Sequence, residues 1–336
     1  MKKYRVGILG ATGAVGREML KILEEYDFPL EELRLLASKR SVGKTMIFKG
    51  KEYNIEEATK TSFEGLDFVL GAASNEIAKA FSEDIVKSGA VFIDNSSAFR
   101  MKDSVPLVVP EINGEDVFSN QGIIANPNCS TIIALMAVKA IHKLSPIESM
   151  VVSTYQATSG AGAQGPVELK NQMESILKNE AIVPKVFQHQ IVENVIPHIG
   201  SFLDNGYTTE EMKMQNEGRK ILHHPSLKVS CTCVRVPVVR SHSISIDLVT
   251  KDYLDINMVK EAISKEKGCR LYDTPQDNIY PMPIVTSNQD LVYVGRIRRC
   301  LIQDNGISLW CSGDQVRKGA ATNAVQIMMK LIGLEF

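Results

Sequence analysis

Gly10-Ala11-Thr12-Gly13-Ala14-Val15-Gly16 is the stretch on which the fold reading turns. It follows an apolar run over residues 4–9 and opens an amphipathic stretch that continues through about Glu24, after which 33–37 reads as a second strand. Strand, glycine turn, helix and strand make a βαβ unit. Glycines at that turn allow a tight bend and let a pyrophosphate approach the amides at the helix N-terminus, where the dipole favours negative charge. A dinucleotide is therefore expected at Gly10, Thr12, Gly13, Ala14 and Val15. The second strand runs into Ala37-Ser38-Lys39-Arg40-Ser41, where an NAD site would carry an acidic residue for the ribose 2′-hydroxyl. Basic and hydroxyl groups suit a 2′-phosphate, so Ser38, Arg40 and Ser41 predict NADP(H).

Working outward, strand-like runs at 68–71, 91–94, 107–109 and 123–125, with a helical pattern near 76–87, predict a mostly parallel sheet covered on both faces. After residue 128 the pattern changes. A helix runs to about Lys143, strands appear at 150–157, 229–236, 243–249, 291–298 and 306–311, and helices at 166–178 and 257–265. The expected fold is α/β: an N-terminal Rossmann-like dinucleotide-binding domain plus an α+β catalytic and dimerisation domain with a mixed sheet. The expected boundaries are 1–128, joined by the C-terminal helix 317–336, for the first, and 129–316 for the second. The polar, Pro-punctuated stretch 182–225 reads as an excursion from the second sheet.

Composition narrows the partners. The 336 residues are 44% hydrophobic and 23% charged with a formal net charge of −1, and Lys and Arg are scattered. That removes the electrostatic footprint of nucleic-acid or anionic-membrane binding and leaves a small molecule as the expected partner. With no apolar leader and no run of roughly 18 apolar residues, no membrane span is expected and the location is predicted to be cytoplasmic. Six cysteines, at 129, 231, 233, 269, 300 and 311, are too irregular for a disulfide framework. Cys231 and Cys233 share a face of one strand, but no second pair follows at ligand spacing, so no metal is expected.

A second glycine loop, Gly160-Ala161-Gly162-Ala163-Gln164-Gly165, matches the strict dinucleotide pattern better than the first but has no βαβ unit before it. It reads as a turn that lets backbone approach a ligand. Asn126-Pro127-Asn128-Cys129-Ser130-Thr131 leads straight into an apolar helical run. Asn128 can cap, and Cys129 then occupies the first helical turn, where unpaired amides favour thiolate over thiol. A nucleophilic cysteine is expected there, although most cysteines of this kind are inert core residues.

With those motifs, the chain resembles the aspartate-β-semialdehyde dehydrogenase family over essentially its full length. The resemblance rests on the glycine-rich start, Asn95-Ser96-Ser97-Ala98-Phe99-Arg100, the Asn-Pro-Asn-Cys-Ser segment, Gln156, Glu210-Glu211-Met212-Lys213, Arg235-Val236-Pro237-Val238 with His242, and Gly313-Asp314-Gln315. It implies NADPH-dependent reduction of 4-phospho-L-aspartate to the semialdehyde through a Cys129 thioester, a step toward lysine, threonine, methionine and diaminopimelate. It further implies His242 as acid/base group, Gln156 orienting substrate, and Arg100, Lys213 and Asn128 holding the departing phosphate. Arg235 would take the α-carboxylate and Glu210 the ammonium group, with Ser159, Gly160 and Gln315 at the cofactor. A homodimer or a dimer of dimers is implied as well.

Spacing alone reads several of these residues differently. His242 is then a structural histidine at a strand start, and residues 210–213 a solvated helix start with an i to i+3 ion pair. The segment Lys318-Gly319-Ala320-Ala321-Thr322-Asn323 departs from many relatives and loosens the assignment at Gln315. Two other functions fit the motifs: an N-acetyl-γ-glutamyl-phosphate reductase, whose substrate has a blocked amine, and a non-catalytic NADP-binding redox sensor.

Overall fold

The computed structural model describes residues 2–336. The chain divides into two compact units, one running up to Asn128 and resuming at Ala320–Phe336, the other spanning Cys129–Gly319.

The first unit is built from β1 (Tyr4–Leu9), α1 (Ala14–Glu25), β2 (Leu30–Ala37), β3 (Thr45–Phe48), β4 (Lys51–Glu57), β5 (Phe68–Gly71), α2 (Asn75–Lys87), β6 (Val91–Asp94), α3 (Pro110–Asn113) and β7 (Ile123–Ala125). The second contains α4 (Cys129–Leu144), β8 (Ile147–Gln156), α5 (Gln164–Leu177), α6 (Thr209–Ile221), β9 (Lys228–Arg235), β10 (His242–Thr250), α7 (Ile256–Lys265), β11 (Cys269–Leu271), α8 (Pro283–Thr286), β12 (Val292–Arg299) and β13 (Gly306–Gly313). The last helix, α9 (Thr322–Leu331), belongs to the first unit.

In the first unit the sheet order is β3-β4-β2-β1-β5-β6-β7, parallel throughout except for the β3–β4 hairpin at one edge. Val6, Ile8 and Leu9 on the central strand are buried, as a sheet covered on both faces requires. Helix α1 lays Met19, Leu20, Ile22 and Leu23 into the same core as Leu35, Leu70 and Ile93, and α9 adds Val325, Ile327 and Met328. Each such side chain contributes about 1.5–3 kcal/mol.

In the second unit the order is β11-β12-β13-β10-β8-β9, with β11–β12 and β8–β9 parallel and the remaining pairs antiparallel. Helices α4, α6 and α7 pack on this sheet. Strand β8 shows the consequence: Met150, Val152, Thr154 and Gln156 are buried, while Val151 and Tyr155 on the opposite face are exposed.

The mixed α/β architecture agrees with the expected fold class, with four local corrections. Residues 107–109 are not a strand; Leu107 makes one isolated bridge to Ala125. Pro106 and Pro110 flank this segment and lack amide donors, and the Asn113 side chain satisfies Val109 N at 2.9 Å and Leu107 O at 2.8 Å instead of a neighbouring strand. The 182–225 excursion contains the whole of α6, whose extent beyond the helix start at 210–213 was concealed because its buried face carries Glu210, Glu211 and Glu217 beside Met214 and Ile221. The final helix is not uniform: a π-type turn at Arg317–Ala321 precedes α9. The β3–β4 hairpin was not apparent in the sequence.

Candidate active site

Strand register brings four distant segments together at one end of the second sheet. Gln156 and Arg235, the last residues of β8 and β9, are register partners, and His242, the first residue of β10, pairs with Gly313, the last of β13. The ends of β8, β9 and β13 and the start of the antiparallel β10 thus lie at one level, and side chains far apart in sequence converge there.

Cys129 is the first residue of α4, at the positive end of a 16-residue helix. Its Sγ lies 3.5 Å from His242 Nε2. The same nitrogen is 3.5 Å from Gln156 Nε2, and His242 Nδ1 accepts the Ala157 N–H at 3.1 Å. His242 is fully buried; burial, then the nearby Arg235 charge, pushes its pKa down to about 3, with Glu210 opposing. Arg235 Nη1 donates to Ala157 O at 2.7 Å. Burial pulls the Arg235 pKa down, while Cys129 and then Glu210 hold it up.

The start of α6 is fixed by a capping box. Thr208 Oγ1 accepts the Glu211 N–H at 3.3 Å, and Glu211 Oε2 accepts the Thr208 N–H at 2.7 Å. Glu211 Oε1 also accepts the Cys233 N–H of β9 at 3.0 Å, locking the helix to the strand that carries Arg235. Glu210 accordingly faces inward: Oε2 pairs with Lys213 Nζ at 2.7 Å, and Oε1 accepts from Gln156 Nε2 at 3.4 Å. The ion pair expected from spacing is present, but this helix start is buried rather than solvated.

The second glycine loop forms a 3₁₀ turn, Thr158–Ala161, over this cluster. A Cβ on Gly160 would lie 2.7 Å from Arg235 Nη1 and 3.1 Å from His242 Cε1, so any larger residue there would press on the guanidinium and the imidazole. Gln315, expected at the cofactor, is buried; its Oε1 accepts the Ser241 N–H at 2.9 Å and its Nε2 donates to Ser159 Oγ. Ser241 has φ 73°, and Arg240 beside it pairs with the buried Asp314 at 2.6 Å. The pair Asp314-Gln315 therefore clasps Arg240-Ser241 just before His242.

In the first unit, Gly10 has φ 89°, and a Cβ there would meet Ala72 O at 2.6 Å. The loop leads into α1, whose N-cap is Gly13 and whose first turn contains Ala14 and Val15. Thr12 Oγ1 lies 3.5 Å from Ser41 Oγ, while Ser38 and Arg40 are exposed at the end of β2. This cradle of backbone amides fits a dinucleotide pyrophosphate. Arg100 is buried and braced on backbone carbonyls, Nε to Asn126 O at 2.9 Å and Nη2 to Asn95 O at 2.7 Å. Asn128 is buried next in sequence to Cys129.

Sequence reasoning missed the Ala157 amide, the Ser241 conformation, the Asp314–Arg240 pair and the closeness of Gly319 to Cys129, where an added Cβ would stand 2.9 Å from the Cys129 Cβ. A glycine within a helical pattern was the one available signal. All six cysteines are thiols, and among the described residues no helix is long and apolar enough to cross a membrane.

Residues 5–120 match the family profile described as semialdehyde dehydrogenase, NAD binding domain, and residues 138–318 match that of semialdehyde dehydrogenase, dimerisation domain. The chain belongs to the semialdehyde dehydrogenase family. Within that family it is 50% identical to the aspartate-semialdehyde dehydrogenase of Aquifex aeolicus over 98% of each chain. It is 45% identical to that of Bacillus subtilis over 97% of this chain and 96% of the other. A crystal structure of aspartate semialdehyde dehydrogenase II from Vibrio cholerae, complexed with ASA, superposes with a TM-score of 0.97 at 41% identity and full coverage of both chains. The stretch matched to the NAD-binding profile spans the Gly10 loop and Arg100, and the stretch matched to the dimerisation profile spans Gln156, Glu210, Lys213, Arg235, His242 and Gln315.

Proposed function

We propose that this protein is an aspartate-semialdehyde dehydrogenase that converts 4-phospho-L-aspartate to L-aspartate 4-semialdehyde. The observation that carries the reading is Cys129 Sγ at the start of α4, 3.5 Å from His242 Nε2. Cys129 attacks the acyl carbon, phosphate leaves, and a thioester remains on the chain. A bound nicotinamide supplies hydride to that thioester.

The other residues divide by charge. Arg235 presents a planar fork for the α-carboxylate, and Gln156 orients the acyl group. Glu210 and Lys213 neutralise each other at 2.7 Å in this structure, and substrate offers each a replacement: its ammonium group for Glu210, its phosphate for Lys213. Arg100 and Asn128 assist at the phosphate. A buried Glu210 beside Gln156 favours a substrate with a free amine over an N-acetylated one.

NADP(H) is the proposed cofactor, because Ser38, Arg40 and Ser41 end β2 without an acid among them; Gly10, Thr12, Gly13, Ala14 and Val15 hold the pyrophosphate, and Ser159, Gly160 and Gln315 line the nicotinamide end. A homodimer is proposed from the open face of the second sheet, where Val151 and Tyr155 are exposed and Tyr155 stands against Trp310 at 5.3 Å. Sedimentation of a Tyr155→Glu variant as monomer tests the dimer. The cytoplasm is the proposed location.

Intact-mass analysis after mixing with 4-phospho-aspartate, without cofactor, tests the reaction. One aspartyl group on the wild type and none on Cys129→Ser is expected; an unmodified wild-type chain, or equal turnover of N-acetyl-glutamyl phosphate, overturns it.

A further inference from the structure

The main chain of Arg235 is held on both sides. It is the register partner of Gln156 on β8, and on its other side it exchanges two hydrogen bonds with Ile196: Ile196 N to Arg235 O at 2.9 Å and Arg235 N to Ile196 O at 2.8 Å. Ile196 ends the segment 185–196, which carries neither helix nor strand. Such a segment needs acceptors from elsewhere for its amides, and α5 supplies them. Glu168 Oε2 accepts the N–H of Lys185 at 3.0 Å and that of Val186, and Oε1 accepts the Phe187 N–H at 3.4 Å. One turn further along α5, Gln172 Oε1 accepts the N–H of Ile191 at 2.9 Å and of Val192 at 3.1 Å.

Both side chains are buried, and Gln172 Nε2 donates to Glu168 Oε1 at 3.1 Å. Four N–H groups therefore meet one carboxylate, which has acceptor sites for all of them. A glutamine at 168 would turn an NH2 group toward a main-chain N–H. Held in this way, the segment packs the Phe187 ring among Leu169, Ile191, Val192 and Ile196. The ring faces the Arg235 guanidinium, with Arg235 Cζ 6.0 Å from its centroid. Gly165 leaves room for it, since a Cβ there would stand 3.3 Å from Phe187 Cζ. We propose that Glu168 and Phe187 are positioning residues for Arg235: the buried carboxylate fixes the 185–187 backbone, and the backbone sets the phenyl ring against the guanidinium that receives the substrate α-carboxylate. This rests on the reading of Arg235 given above.

The bracing matters because a guanidinium recognises a carboxylate through its own plane. Arg235 Nη1 donates to Ala157 O at 2.7 Å, which fixes one arm of the fork. The Phe187 ring bears on the face of the group and opposes its rotation about that arm. Glu168 touches neither substrate nor reacting atoms and acts only through residues 185–187. The α-carboxylate keeps its charge from substrate to product, so its anchor serves ground state and transition state alike. Loosening the anchor then weakens binding and leaves the chemical step nearly as fast.

The test reads Arg235 directly and then through substrate. In spectra of the full chain carrying ¹⁵N-arginine, the Arg235 Nε signal is assigned by its loss in Arg235→Lys. Glu168→Gln and Phe187→Leu should each shift that signal and speed exchange of its hydrogen with solvent; an unmoved signal in either folded variant overturns the proposal. In steady-state kinetics each variant should raise KM for 4-phospho-aspartate roughly three- to thirtyfold, with kcat within about twofold of wild type. The KM for NADPH should not change. With 3-aminopropanoyl phosphate, the same acyl phosphate without the α-carboxylate, both variants should match wild type in kcat/KM. Added to Arg235→Lys, Phe187→Leu should cost little more, because the two changes remove one interaction. Equal losses on the two substrates, a fall in kcat at unchanged KM, or additive losses would make Glu168 and Phe187 packing residues only. Should Glu168→Gln not fold, Phe187→Leu answers every arm. The spectra need no substrate, so a wild type inactive on 4-phospho-aspartate would sink the functional reading and still leave the bracing decided.

Discussion

Gly319 lies directly against Cys129: a Cβ on Gly319 would stand 2.9 Å from the Cys129 Cβ and 3.3 Å from its Cα. No flexible tip is available to move aside, since the neighbour is the root of the nucleophile itself. The π-type turn Arg317–Ala321 is what brings a glycine to this point.

Gly319→Ala is therefore expected to displace Sγ from its place beside His242. A displacement of about 1 Å lowers kcat on the order of 10²-fold, with substrate KM little changed. Steady-state kinetics together with Cys129 alkylation rates check this; an alanine variant with wild-type kcat would show that the nucleophile tolerates the added carbon.

Cys129→Ser should bind NADP as the wild type does and lose turnover by several orders of magnitude, because a hydroxyl at neutral pH is a far weaker nucleophile than a thiolate. Fluorescence titration and an assay of the same preparation separate binding from chemistry. Full activity in the serine variant would exclude the thioester.

Arg40 is exposed and makes no side-chain hydrogen bond or ion pair among the described residues, so Arg40→Glu costs the fold nothing evident. The substitution should weaken NADPH much more than NADH, since it places a carboxylate where a 2′-phosphate is expected. Equal loss for both cofactors in parallel titrations would remove Arg40 from cofactor recognition.

The buried His242 also links stability to pH. Its pKa falls from an ordinary 6.5 to about 3 on folding, so below 6.5 the unfolded chain binds a proton that the folded chain refuses. Stability is thus unaffected above pH 6.5 and declines as pH drops toward 3, by about 2 kcal/mol at pH 5. Urea unfolding at about pH 5 and pH 7.5 should show a smaller acid loss for His242→Gln than for wild type. Equal losses would mean that the histidine takes up its proton in the folded state.

What the sequence determined by itself was whatever depends on neighbours along the chain. The Gly10 loop, its flanking strands and helix, and the placement of Cys129 at a helix start are local patterns, since glycine turns, apolar periodicity and helix ends are set within a few residues. The resemblance over the whole length extended that reading to side chains whose spacing alone favoured bland roles, such as His242 and Glu210. Tertiary structure decided the rest. The burial of α6, and its extent beyond the helix start at 210–213, went unread because its buried face carries three glutamates, and one of them, Glu211, is accommodated there through bonds to Thr208 and to Cys233 on a different strand. The meeting of Gln156, Arg235 and His242 depends on strand register, and the contact at His242 Nδ1 on one amide 85 residues away in sequence. Register and amide direction arise from pairing between remote segments, which no local pattern encodes.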